Sequence, residues 1–424
     1  MNPFLPPLCC IPDGEAHVFG DRVYLYGSCD IPGDSNYCSH TYHAFSASVF
    51  DLEHWTDHGE IFASAGPNAQ VAWTSARLYA PDVLYKDGQY YLYFCTGDGT
   101  EGMARSGSPS GPFTDARQLF YPPSIRNGRP LSQNDPAVLL DDDGSAYLYW
   151  GEGQVQAARL KDNLYELDPM SYVENLIDEA HFGFHEGASI RKFNGKYYLL
   201  FCSVATGRAS SLDYAISDAP LGPFRYGGTV IDNTGCDPET WNIHGSLAEI
   251  GEKYYVFYHR SSENSRFSRR ACVEEITLRA DNSIPAVSMS SAGFAQALNA
   301  AECIPALAGC RLSGRCYFTL EAGVPILSNI HHGDTALYTP LDFPTGLTQF
   351  CVTLRGKASG RLSVRTGSSD GPILAEVSLS NANERWTELR TAIQFQPAGR
   401  FGLYLCFEGG SSHTLCEISR FRFI

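Results

Sequence analysis

Residues 143–151 read Asp143-Gly-Ser-Ala-Tyr-Leu-Tyr-Trp-Gly151, a turn carrying glycine followed by an aromatic-rich strand. The pattern recurs four more times. Upstream it is Gly20-Asp-Arg-Val-Tyr-Leu-Tyr-Gly-Ser28 and Asp87-Gly-Gln-Tyr-Tyr-Leu-Tyr-Phe-Cys95. Downstream it is Asn194-Gly-Lys-Tyr-Tyr-Leu-Leu-Phe-Cys202 and Gly251-Glu-Lys-Tyr-Tyr-Val-Phe-Tyr-His259. The aligned tyrosines Tyr24, Tyr91, Tyr147, Tyr198 and Tyr255 are 67, 56, 51 and 57 residues apart. Such a period suits one four-stranded sheet per repeat. Asp-Gly and Asn-Gly at the joints predict tight hairpins, because these residues adopt φ > 0 at little cost. Ser110-Gly-Pro-Phe113 and Leu221-Gly-Pro-Phe224 mark equivalent later turns in repeats two and four. Five such sheets around one axis predict an all-β, five-bladed β-propeller over residues 1–285.

Composition agrees. The 424 residues include 40 Gly, 24 Pro, 24 Tyr and 24 Phe, which suits a turn-rich β chain. The hydrophobic fraction of 43% supports a sizeable core. The net charge of −16 repels phosphate backbones and argues against nucleic acid as a partner. No apolar run approaches the ~20 residues of a membrane span, and no basic-then-apolar leader precedes Cys9 and Cys10. The 14 cysteines are scattered and form no Cys-x-x-Cys pair, so they read as buried, reduced thiols in a cytoplasmic protein.

Each repeat carries a short run before its hairpin, and in a propeller that innermost strand lines the channel. The residues that lead into these runs are Asp13, Asp82, Asp135, Glu186 and His244, standing 11, 9, 12, 12 and 11 residues before the aligned tyrosines. Four carboxyls and an imidazole are thus expected at one mouth. Crowded carboxylates raise one another's pKa, which stability alone does not favour. Paired carboxyls of this kind perform general acid and base chemistry, as in glycoside hydrolysis. Glu15 lies two residues beyond Asp13 and points the same way in a strand; the spacing favours Asp13.

These motifs resemble glycoside hydrolase family 43 across all five repeats. The likeness rests on Asn134-Asp-Pro-Ala-Val-Leu-Leu140, Tyr79-Ala-Pro-Asp82, Glu186-Gly-Ala-Ser-Ile-Arg-Lys192 and Asn242-Ile-His-Gly-Ser246. The resemblance implies an inverting enzyme with Asp13 as general base, Asp135 as the residue that orients and tunes, and Glu186 as general acid. It departs at the first position, where the family's Asp-Pro is replaced by Pro12-Asp13-Gly14. It implies sugar contacts from Asp82, Tyr79, Trp73, Phe182, His244 and Arg269, with Arg270 as the other arginine able to reach the mouth. It also implies a Ca²⁺ ion or water cluster beside His244, and no required cofactor. The family's activities point to an oligosaccharide substrate that yields terminal α-L-arabinofuranosyl or β-D-xylosyl units. β-Galactosidic and galactofuranosidic linkages stay open, as do a non-catalytic sugar-binding propeller and a scaffold for protein partners.

Beyond residue 285 the period is lost and short alternating strands follow, including Gln349–Leu354, Arg361–Arg365, Leu374–Ser378, Trp386–Leu389, Phe401–Phe407 and Cys416–Phe423. They predict a β-sandwich over residues 286–424. Asp370-Gly-Pro372, the lone Trp386 and Leu403-Tyr-Leu-Cys-Phe407 resemble carbohydrate-binding module family 6. Packing on the propeller and shaping its rim is the role expected of it.

Overall fold

A computed structural model of the chain describes residues 1–126, 134–357, 359–410 and 413–424. Five antiparallel sheets follow one another in sequence. Blade one is Glu15–Phe19 (β1), Arg22–Gly27 (β2), Thr41–Ser48 (β3) and Asp51–Ala63 (β4). Blade two is Leu78–Lys86 (β5), Gln89–Thr96 (β6), Glu101–Ser106 (β7) and Thr114–Gln118 (β8). Blade three is Ala137–Leu140 (β9), Ala146–Trp150 (β10), Gln154–Arg159 (β11) and Val173–Asp178 (β12). Blade four is Phe184–Phe193 (β13), Lys196–Ser203 (β14), Ser211–Ser217 (β15) and Arg225–Asp232 (β16). Blade five has three strands, Ser246–Ile250 (β17), Lys253–Ser262 (β18) and Ser265–Ile276 (β19), where the repeat had predicted four. Residues 2–4 run along its outer edge instead. Phe4 N–H donates to Ala271 O at 3.3 Å, and the Asn2 amide exchanges bonds of 2.8 and 3.0 Å with the Val273 backbone.

The hairpins are those the turn residues dictate. Asp87–Gly88 and Asn194–Gly195 both hold positive φ at two successive residues, as a type I′ turn requires. Aromatic and aliphatic side chains of the second and third strands fill a separate core between each pair of neighbouring blades. The ring closes where Ala248, Phe257 and Val273 of blade five meet Val23, Leu25 and Phe45 of blade one. The inner strands β1, β5, β9, β13 and β17 consequently stand side by side around a channel.

The C-terminal region is a sandwich of two six-stranded sheets around one apolar core that contains Phe318, Tyr338, Phe350, Leu405 and Phe421. The segment 277–297, which the sequence reading divides at 285, packs on the propeller: Ile284 and Met289 join the blade four–five core, and Phe294 packs on the core that closes the ring. The sandwich also adds Cys310 to the blade four–five core, and Leu312 N–H donates to Gly235 O at 2.6 Å. No helix among the described residues is long and apolar enough to cross a membrane.

Candidate active site

Hairpin register sets which residues meet at each depth of the channel. Tyr24, Tyr91, Tyr147, Tyr198 and Tyr255 face His17, Leu84, Leu139, Arg191 and Ala248. Four residues before these partners, at the mouth, stand Asp13, Ala80, Asp135, Gly187 and His244. Asp13, Ala80, Asp135 and Gly187 all have positive φ, the turn that leads the chain into its inner strand. Bulges in β13 and β5 bring Glu186 and Tyr79 to this level beside Gly187 and Ala80.

Asp82 lies two residues deeper, and here the sequence expectation is corrected. It is fully buried; Oδ1 takes Val83 N–H at 2.7 Å and lies 2.6 Å from His17 Nε2, while Oδ2 takes Val138 N–H at 2.8 Å. Both oxygens are engaged inside the channel wall, below the mouth where a sugar would sit.

Asp13 is 4% exposed. Arg269 Nη1 donates to its Oδ1 at 2.9 Å, and His259 and His244 place Nδ1 at 3.5 and 3.9 Å from the same oxygen. Burial pushes this carboxyl up, but the Arg269 guanidinium and the two imidazoles outweigh it and hold Asp13 below the usual carboxylate range. Arg269 is itself fixed by Asp30 through two bonds of 2.9 Å, and its guanidinium lies 4.7 Å from the centre of the Tyr37 ring. Arg269 therefore reaches the mouth as the partner of Asp13. Arg270 turns away to Ser262 and Glu263.

Asp135 Oδ2 accepts Gly187 N–H at 3.1 Å and the Asn134 amide at 3.0 Å. Burial and the repulsion of Glu186 and Asp13 raise Asp135; burial and the Asp13 charge, against the pull of His185, raise Glu186. The two carboxyls thus hold a proton more tightly than an ordinary acid. Such a pair binds that proton jointly, across Asp135 and half-buried Glu186.

His244 is buried, and its ring packs flat on Gly187: a Cβ there would lie 3.1 Å from the ring. Burial lowers its pKa, leaving a neutral imidazole. The carboxylate nearest to it, Asp13, is already neutralised by Arg269, and calcium requires a set of oxygen ligands. Among the described residues the group whose ligand atoms converge is Glu15, His17 and Asp82, deeper in the channel.

Tyr79 is half-buried, beside Cys38 and Cys95. Trp73 lies on the mouth side of blade two, stacked on Phe94 with Nε1 donating to Thr100 at 3.1 Å. Phe182 packs against the blade three–four core. The sequence reading missed Asp30, Tyr37, Cys38 and His259. It also missed Trp241, which is 43% exposed under the Arg266 guanidinium, next to Asn242, whose side chain bonds Glu186. One signal was present for His259. The ninth position of each motif is Ser28, Cys95, Gly151, Cys202 and His259, a polar or small residue ending an aromatic strand. Cys95 and His259 sit directly under the acids, within 3.4 Å of the Asp135 nitrogen and 3.5 Å of the Asp13 nitrogen. In the sandwich, the Trp386 ring is covered by Arg355 at 4.6 Å, and Glu321 and Glu417 hold that guanidinium in place.

Comparison with known proteins matches this geometry. The Carbohydrate binding module (family 6) profile matches residues 315–424. A xylosidase/arabinosidase of Thermoclostridium stercorarium is 30% identical over 98% of this chain and 97% of its own length. A family 43 arabinoxylan arabinofuranohydrolase from Bacillus subtilis, solved with cellotetraose, superposes with a TM-score of 0.59 at 24% identity, covering 100% of this chain and 97% of the other; it shows the shared fold. A family 43 β-xylosidase/α-arabinofuranosidase from a compost metagenome, solved with xylotriose in a calcium-free form, is 28% identical with a TM-score of 0.55 over 67% of this chain and 97% of its own. The Glycosyl hydrolases family 43 profile matches residues 12–284, the span that builds the acid-lined mouth, and the chain belongs to that family of glycoside hydrolases.

Proposed function

We propose that the chain is an inverting exo-glycosidase that removes terminal α-L-arabinofuranosyl or β-D-xylosyl units from oligosaccharides. The observation that carries this reading is the split among the acids at one mouth: Asp13 held below the usual carboxylate range by Arg269, and Glu186 raised above it beside Asp135. Asp13 accepts a proton from water as the water oxygen attacks the anomeric carbon. Glu186 gives its proton to the glycosidic oxygen as the bond to the leaving group breaks. Attack and departure on opposite faces invert the centre. Asp135, beside Glu186, orients it and tunes its hold on the proton until the leaving oxygen takes it. Water, a base and an acid complete the reaction, which needs no cofactor.

The sugar assignment is supported by relatives named for xylosidase and arabinosidase activity. Fourteen unpaired thiols suit a reducing compartment, so we place the enzyme in the cytoplasm, working on short oligosaccharides. Cell fractionation checks that placement. The sandwich serves the propeller by packing against it, since the face of its exposed tryptophan is already taken by Arg355.

The test of function is a panel of nitrophenyl pentosides and hexosides with wild type and Glu186→Ala. Wild type is expected to cleave the arabinofuranoside or xyloside. Glu186→Ala is expected to lose about 10²–10⁴-fold on oligosaccharides, and less on a dinitrophenyl leaving group that departs without a proton. Equal losses on both substrates would remove Glu186 from the acid role.

A further inference from the structure

Below the mouth, the channel is closed by charge. Glu15 and His17 of β1 and Asp82 of β5 bring ligand atoms within 4.8 Å of one another. Two carboxylates and an imidazole at that spacing form the kind of cluster that draws a divalent cation. Arg191, from β13 across the channel, already occupies it. Its Nη2 donates to Glu15 Oε2 and to Ala16 O at 3.2 Å, and stands 3.2 Å from His17 Nε2; Nη1 donates to Ile190 O at 2.7 Å. Its Nε is buried without an acceptor, so the side chain is held here by its charged end.

The ligand oxygens also take other donors. Ser189 Oγ donates to Glu15 Oε2 at 3.1 Å, and the Asp82 oxygens take Val83 N–H, Val138 N–H and His17. An added divalent ion would meet a fixed cation already in its place, so these residues do not fit a bound calcium.

We propose that Arg191 is the built-in cation of this channel, filling the place a divalent metal would take among Glu15, His17 and Asp82, and that removing its charge unmasks a Ca²⁺ site. Glu15 opens β1 two residues after Asp13, so the cation that pins β1 also fixes the height of Asp13 at the mouth. A guanidinium suits the task because its donors form a rigid, permanently charged fork.

Wild type and Arg191→Ala, stripped with EDTA and titrated with CaCl₂, test this through binding heat and melting temperature, neither of which depends on hydrolysis. Wild type is expected to show neither heat nor shift. Stripped Arg191→Ala is expected to melt lower, to bind one Ca²⁺ and to regain several degrees, as mass action requires. Arg191→Lys, which keeps the charge, is expected to ignore Ca²⁺. Adding Glu15→Gln to Arg191→Ala is expected to abolish binding, which locates the ion. If Arg191→Ala does not fold, Arg191→Gln carries the same titration. Calcium binding by wild type that Glu15→Gln abolishes would overturn the proposal. So would a folded Arg191→Ala or Arg191→Gln indifferent to the ion.

Discussion

In the proposed reaction Asp13 and Glu186 are carboxyls in one small space with opposite duties, and the groups around them account for the difference. Arg269 supplies positive charge to Asp13 at 2.9 Å; Glu186 has Asp135 and Asp13 for neighbours. Activity should follow a bell in pH. Its acid limb lies below the ordinary aspartate value of about 3.9, because Asp13 must lose its proton, and its basic limb lies above the ordinary glutamate value of about 4.3, because Glu186 must keep one. Arg269→Met removes the cation that lowers Asp13. The Asp13 pKa then rises, and the acid limb of kcat/KM is expected to move to higher pH while the basic limb stays. An unmoved acid limb would show that Arg269 does not tune the base. None of this was legible locally. Asp13 and Arg269 are 256 residues apart, and two adjacent arginines, Arg269 and Arg270, look alike in sequence though only one faces the mouth.

At the scale of strands and turns, the sequence was far more informative. Hairpin turns depend on neighbouring residues alone, so Asp87-Gly88 and Asn194-Gly195 announce themselves and the aligned tyrosines follow in register. Depth in the channel is a finer matter. A strand alternates every residue, so a shift of two keeps a side chain facing inward but moves it roughly 7 Å along the axis. Asp82, nine residues before its tyrosine where the other positions stand eleven or twelve, carried that shift in its spacing. The fourth strand of blade five was the other miss, since its substitute comes from the opposite end of the chain. Asn2 is fully buried, and its side chain bonds to Val273 in both directions and to Glu274. Asn2→Ala leaves the Val273 N–H and C=O without partners and is expected to cost about 1–3 kcal/mol in denaturant unfolding. A change within error would mean that this clasp does not hold the ring.

At the scale of the whole molecule, propeller and sandwich are not independent beads. Cys310 completes the blade four–five core, Leu337 packs against it, and Glu263 N–H donates to Phe318 O at 2.6 Å. A chain ending at residue 297 uncovers that apolar surface, and it is expected to melt several degrees lower and to aggregate sooner than the full chain; identical melting curves would show that the sandwich lends nothing. The two-part architecture was readable from the loss of the aromatic period, and the later sandwich strands from their alternation. The earlier ones, Tyr317–Glu321 and Val324–Ser328 among them, were not, because Pro325 and short lengths blur the pattern. What joins these scales is an axis of charge, with Asp13, Asp135 and Glu186 at the mouth and Arg191 beneath. The most direct check on the reaction assigned to that mouth is the configuration of the first sugar released, followed by proton NMR in the opening minutes of xylobiose or arabinofuranoside hydrolysis. The expected first product carries the anomeric configuration opposite to that of the bond cleaved. Release with the original configuration would contradict the assignment of Asp13 as a base acting through water.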